Sequence, residues 1–210
     1  MKKNLSSIPI WIGEKIIAKD ILELGVELSY KFKNSNSKCR LVSEEFKPNN
    51  FSDQQKSFDE FGLTSYGVVD FLQLDEWFPI CKAIHEASCN LLSKEWIING
   101  ADFSDLWTSI YPRNAYIPIH NHGDVPISGV LYLKSFEKCG DIIFQDPSWI
   151  VKQHWPFNTG TSFRFKPEDG DLYLFPGWLP HYTEPNRTDE DRIILSFNMV
   201  FPSPPELRIQ

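Results

Sequence analysis

The sequence predicts a mostly β domain, a double-stranded β-helix or jelly roll of cupin-like type, preceded in the chain by helices. Three observations predict it. After Phe103 the hydrophobic pattern changes from helical spacing to strict alternation. Gly, Pro, Asn and Asp punctuate the alternating runs, and aromatic residues reach 14%, with sixteen Phe and seven Trp. Alternating runs rich in aromatic and β-branched residues, broken by turn formers, are what half-buried strands require.

The polar stretch from Cys39 to Glu60, with K-P-N-N and S-D-Q-Q-K, reads as loop with short elements. From Asp75 a helix takes over, because Trp77, Ile80, Cys81, Ile84, Leu91 and Leu92 recur at helical spacing. Asp75 is its candidate N-cap, Pro79 falls in the tolerant first turn, and Asn99-Gly100 ends it. Then come L-W-T-S-I-Y, Y-I-P-I-H-N-H, S-G-V-L-Y-L-K, D-I-I-F-Q, S-F-R-F-K, D-L-Y-L-F and R-I-I-L-S-F-N-M-V-F. With W-L-P-H-Y-T they make about eight strands, at the spacing of an antiparallel sandwich or barrel. The expected division is an irregular and helical part over 1–102 packed on a β-helix over 103–210.

A chain of 210 residues with 41% hydrophobic and 23% charged residues can bury one sizeable core. Its net charge of -7 argues against a sequence-independent grip on nucleic-acid backbone, which needs Lys and Arg. No apolar run approaches the ~18 residues of a membrane span, and M-K-K-N-L-S-S-I-P is weakly apolar for a secretory leader. The expectation is a cytoplasmic protein without a membrane partner. Cys39, Cys81, Cys89 and Cys139 form no C-x-x-C pair, so reduced thiols are expected rather than disulfides or zinc ligands.

The chemistry concentrates in I-H-N-H-G-D, Ile119 to Asp124. Side chains alternate along a strand, so His120 and His122 share a face, and Asp124 joins them if the strand continues. Two imidazoles side by side gain little without a shared cation. His181, in P-G-W-L-P-H, supplies a third candidate ligand, whereas His85 in the helix and His154 in a Trp-rich loop read as ordinary packing or surface residues. Arg192 opens an otherwise apolar strand, where a core-facing charge is costly unless paired. If E-P-N-R-T-D-E-D joins two paired strands, His181 and Arg192 come close to facing each other, and the arginine can receive a carboxylate.

Together these motifs resemble the iron(II)/2-oxoglutarate-dependent oxygenases, most closely a small branch with H-x-H-P…S-G-V-x-Y found in marine bacteria and their viruses. The resemblance covers Trp107 to Phe201, through H-N-H-G-D-V-P-I-S-G-V-L-Y-L, G-D-I-I-F-Q-D-P, G-D-L-Y-L-F-P-G-W-L-P-H and D-R-I-I-L-S-F-N. It implies His181 as the distal iron ligand and Arg192 as partner of the C5 carboxylate of 2-oxoglutarate. It also implies Ser196 as a hydroxyl beside that arginine, Tyr132 on the same carboxylate and Tyr111 at the other end of the co-substrate. The family usually has H-x-D, and the chain offers either His120 with His122 or His122 with Asp124. Asn114, able to take a turn conformation six residues before His120 where relatives often have glycine, favours the first pair; the literal H-x-D favours the second.

The implied activity is a prolyl-hydroxylase-like hydroxylase. It would use Fe(II), 2-oxoglutarate and O2 to couple oxidative decarboxylation to oxidation of a C–H bond in a substrate that the sequence does not name. Phe144, Trp178, Phe197 and the loop around Trp149 and Trp155 are candidates for a dry aromatic wall. Two other readings stand beside it. A cupin-like metal protein without 2-oxoglutarate would explain H-x-H, but it lacks an early glutamate and has no use for Arg192. A binding module without catalysis would explain only the irregular first motif.

Overall fold

A computed structural model describes residues 8–35, 40–41, 62–93, 101–147 and 162–201. The order is β1 (Trp11–Gly13), α1 (Lys19–Ser35), β2 (Arg40–Leu41), β3 (Leu63–Thr64) and α2 (Phe78–Ser93). Then follow β4 (Asp102–Tyr111), β5 (Ile127–Lys134), β6 (Ile142–Gln145), β7 (Ser162–Phe165), β8 (Leu172–Phe175), β9 (His181–Thr183) and β10 (Arg192–Val200). The strands form a seven-stranded sheet, β1-β8-β5-β10-β4-β3-β2, facing a three-stranded sheet, β7-β6-β9. Every pairing is antiparallel. This is the double-stranded β-helix. Strands from before residue 102 form both edges of the larger sheet.

The alternation of β10 decides which face holds the site. Ile193, Leu195, Phe197 and Met199 point into the core shared with the helices, while Ile194 points between the sheets with Tyr111, Val130, Tyr132 and Phe175. α1 buries Leu22, Leu28 and Phe32, and its Ser29 hydroxyl shares a 2.8 Å hydrogen bond with Thr108 of β4. α2 buries Ile80, Ile84, Ser88 and Leu92, one residue per turn. Gly129 in S-G-V-L-Y has a packing reason, since a Cβ there would overlap the Phe197 ring.

Four expectations change here. Asp75 opens a 3-10 turn, Asp75–Trp77, that leads into α2 rather than capping it, and the cap residue of that turn is Leu74. Y-I-P-I-H-N-H does not form a full strand; it touches β9 through the His120–His181 bridge. It also bonds at Ile117–Thr183, where Thr183 N donates to Ile117 O at 3.2 Å. Three steps along one chain match two along the other, a bulge that accommodates Pro118 and its missing N–H. β9 and β10 do not pair either: β9 joins β6, and β10 lies between β4 and β5. The connection 184–191 crosses from one sheet to the other, held by Asn186, whose Nδ2 donates to Tyr111 O at 2.9 Å. Finally, α1 is an additional helix. The Asn99-Gly100 stop, Cys39 and most of the polar stretch from Cys39 to Glu60 lie outside the described residues.

Candidate active site

His120, His122 and His181 converge, with one ligand atom from each within 4.8 Å of the other two. The bridge between His120 and His181 fixes two of them, through His120 N to His181 O at 3.0 Å and the reverse bond at 2.9 Å. His122 is placed by its own N–H, which donates to Gly177 O at 2.7 Å.

All three rings are held in the same tautomer. Nδ1 of His120 lies 2.9 Å from Pro118 O, Nδ1 of His181 2.9 Å from Leu179 O, and Nδ1 of His122 2.8 Å from the Asn198 side-chain oxygen. A carbonyl oxygen only accepts, so each Nδ1 carries the proton and donates, leaving each Nε2 with a lone pair. Burial holds all three imidazoles below their ordinary range: His120 is lowered, His122 falls to about 4 with help from neighbouring His120, and His181 falls well below. Three neutral imidazoles with free Nε2 atoms are a donor set that suits a divalent transition metal such as iron.

Asp124 is not brought into the cluster. Gly123 takes φ +66° and ends the alternation, so Asp124 lies exposed in a turn that begins with Asn121 Oδ1 accepting from Gly123 N at 3.0 Å. Asn114 does adopt a left-handed conformation, φ 69°.

Arg192 marks the closed end. It is 0% exposed, and no carboxylate pairs with it among the described residues. Nη1 donates to Cys139 O at 2.7 Å and to Gly140 O and Glu184 O at 3.2 Å each, and Nη2 donates to Thr183 Oγ1 at 2.9 Å. Nε has no partner, and neither does the fully buried Tyr132 hydroxyl. The guanidinium also lies 4.3 Å from the centre of the Tyr111 ring. Tyr111 therefore stands at the arginine end, not at the opposite end of the site. Ser196 is not beside Arg192, because Ile194 intervenes on the same face and Ser196 sits opposite Trp107. The hydroxyl at the arginine is that of Thr183, two residues after His181 on the same face of β9. H-Y-T was the signal for it.

Between the two ends lies a cavity of about 420 Å³, lined by the three histidines, Thr183, Tyr132, Tyr111, Ser196 and Asn198 among others. Its aromatic wall is Trp107, Phe175 and Tyr66. Phe197 belongs instead to the core behind the sheet, and Trp178 is 47% exposed. Phe144 packs behind His181, with ring centres 6.0 Å apart. Trp149, His154 and Trp155 lie outside the described residues. His85, on α2, bonds Ala101 O at 2.7 Å and takes no part.

Residues 105–198 match the family model described as "Putative 2OG-Fe(II) oxygenase". Over those residues the chain is similar to the 2OG-Fe(II) oxygenases. This oxygenase is similar in fold to a Pseudomonas putida prolyl-4-hydroxylase, at 12% identity over 91% of this chain and 92% of that one, TM-score 0.59. It is likewise similar to HygX from Streptomyces hygroscopicus, solved with nickel, 2-oxoglutarate and hygromycin B, at 10% identity over 93% and 84%, TM-score 0.59. The collagen prolyl hydroxylase of Paramecium Bursaria Chlorella virus-1, solved with 2OG, matches at 14% identity over 90% and 94%, TM-score 0.52. No curated protein sequence matches the chain. By that match and its three converging histidines, the chain is an oxidoreductase that uses Fe(II), 2-oxoglutarate and O2. No helix among its described residues is long and apolar enough to cross a membrane.

Proposed function

We propose that the oxygenase is a hydroxylase in which His120, His122 and His181 hold Fe(II) through Nε2, and Arg192, Tyr132 and Thr183 receive the C5 carboxylate of 2-oxoglutarate. One observation carries the reading. The cavity that holds three neutral histidines is also lined by Tyr132, whose buried hydroxyl has no partner, and by Thr183 and Tyr111, directly behind which lies a buried guanidinium without an anion. Both groups are costly as they stand, and a carboxylate between them satisfies both.

When bound, the iron supplies the redox centre at which decarboxylation of 2-oxoglutarate is coupled to oxidation of a C–H bond. The chain's residues do the positioning. His181 and Thr183 share one face of β9, so the metal end and the carboxylate end are spaced by two residues of rigid strand, about 7 Å. Tyr132 and Arg192 orient the co-substrate, and Trp107, Val130 and Phe175 exclude water around it.

The test is succinate formation by protein loaded anaerobically with Fe(II) and then given O2 and 2-oxoglutarate. The expected result is succinate produced one-for-one with 2-oxoglutarate consumed, and none with protein lacking iron. Iron binding without 2-oxoglutarate consumption in wild-type protein would refute the reading.

A further inference from the structure

We infer that the outer end of the cavity is a cation subsite, and that the primary substrate carries an amine or guanidinium group seated between Asp105 and the Tyr66–Trp107 aromatic pair. This rests on the proposed function, because it takes the reacting centre to lie among the three histidines.

The register of β4 against β10 gives the cavity a direction. Tyr111 lies opposite Arg192, Ser109 opposite Ile194, Trp107 opposite Ser196 and Asp105 opposite Asn198. Burial falls along that ladder, from Tyr111, fully enclosed, to Asp105, exposed. A substrate arriving from solvent therefore meets Asp105 before it meets the histidines.

Two aromatic rings line the same two cavities as that carboxylate. Trp107 stacks on His122, with ring centres 5.8 Å apart and planes inclined by 27°, so it reaches the metal end directly. Tyr66 packs against Trp107, with ring centres 4.8 Å apart, and remains 51% exposed. An open aromatic face next to a carboxylate favours a cation twice, through the ring quadrupole and through charge. Asp105 has an oxygen available for this. Its Oδ2 accepts from Ser104 Oγ at 2.8 Å and from Asn198 Nδ2 at 3.4 Å, while Oδ1 has no hydrogen bond among the described residues.

The space beyond has the same sign. Tyr66, Asp105 and Trp107 also line a second cavity of about 310 Å³ that holds Asp70. Among the described residues no Lys or Arg lines either cavity. The site is thus polarised, with the Arg192 cation behind Thr183 and Tyr111 at the closed end and carboxylates at the mouth. Like charge at the mouth disfavours an anionic primary substrate, so attraction and repulsion select the same class. With such a substrate the balance is C–H plus O2 plus 2-oxoglutarate giving C–OH, succinate and CO2.

The experiment measures binding of matched capped residues to protein loaded with Fe(II) and 2-oxoglutarate under anaerobic conditions, followed by tryptophan fluorescence. Nα-acetyl-arginine amide is compared with neutral Nα-acetyl-citrulline amide, and Nα-acetyl-lysine amide with Nα-acetyl-norleucine amide. Wild-type protein should prefer the cation in each pair by about tenfold or more, and Asp105→Asn should cut the preference to about twofold. The ratio within one sample does not depend on how much iron a variant retains. A pentapeptide, Gly-Gly-Arg-Gly-Gly, separates two sources of the cation: tighter binding than the capped residue assigns a peptide chain in the second cavity, and equal binding assigns a small molecule. Wild-type protein that turns over 2-oxoglutarate but shows no cation preference, or binds none of the probes at millimolar concentration, overturns the inference alone. Wild-type protein that fails to turn over 2-oxoglutarate overturns the proposed function instead.

Discussion

His122 donates its Nδ1 proton to the side-chain oxygen of Asn198 across 2.8 Å, and the same oxygen accepts from Ser128 Oγ at 2.9 Å. Asn198 Nδ2 in turn reaches Asp105 Oδ2 at 3.4 Å. The two residues are far apart in sequence, yet this one contact sets both the tautomer and the tilt of the His122 ring. Replacing Asn198 with Ala leaves the ring free to rotate and its buried Nδ1–H unpaired. Iron affinity should fall about 10- to 100-fold, measured by metal titration, while Asn198→Asp should restore most of it. Equal affinity in all three proteins would show that His122 is held by packing alone.

Removing a metal donor separates the two readings of I-H-N-H-G-D. His120→Ala, His122→Ala and His181→Ala should each lose bound iron. Asp124→Ala should keep it, because Asp124 is exposed beyond the turn at Gly123. Iron content after gel filtration decides this, and iron lost with Asp124→Ala but kept with His120→Ala would move the site to the other register.

At the closed end, Arg192→Leu should raise the 2-oxoglutarate concentration needed for half-maximal turnover by about a hundredfold, with iron retained. Tyr132→Phe removes one neutral hydrogen bond, so its effect should be nearer tenfold. Thr183→Val should resemble Tyr132→Phe, since its hydroxyl is the one that touches the guanidinium. Unchanged 2-oxoglutarate dependence in Arg192→Leu would reduce the arginine to a brace for the carbonyls of Cys139, Gly140 and Glu184.

The depressed histidines make stability depend on pH. As pH falls below about 6.5 the unfolded chain takes up protons on these imidazoles, while the folded chain resists until about 4 at His122. The unfolded state then binds more protons, so the contribution of His122 is fully present above pH 6.5 and is lost between 6.5 and about 4. Metal-free protein should melt at progressively lower temperature over that window. His122→Gln should flatten the slope relative to wild type, as followed by circular dichroism, and parallel curves would contradict the burial argument.

Much of the site is legible in one dimension. The pairing of His120 with His122 follows from strand alternation, and Arg192 stands out as a charge in an apolar run. The change of period after Phe103 and the turn residues between runs mark the strands from β4 to β10, because both signals are local to the backbone, but not β1, β2 or β3. What the sequence determined, then, is the set of faces: which residues on each strand can look inward together.

The tertiary structure decided which faces meet. β9 and β10 are neighbours in the chain but lie in different sheets, so Thr183 approaches Arg192 across the sandwich rather than along a ladder. The left-handed turn at Gly123 turns Asp124 outward although spacing alone would have kept it with the histidines. Asn198, Asp105 and Tyr66 reach the same cavity from β10, from β4 and from a turn after β3, with no motif to join them. Alternation and turn chemistry act over a few residues, whereas the choice of sheet depends on burying every strand's apolar face at once.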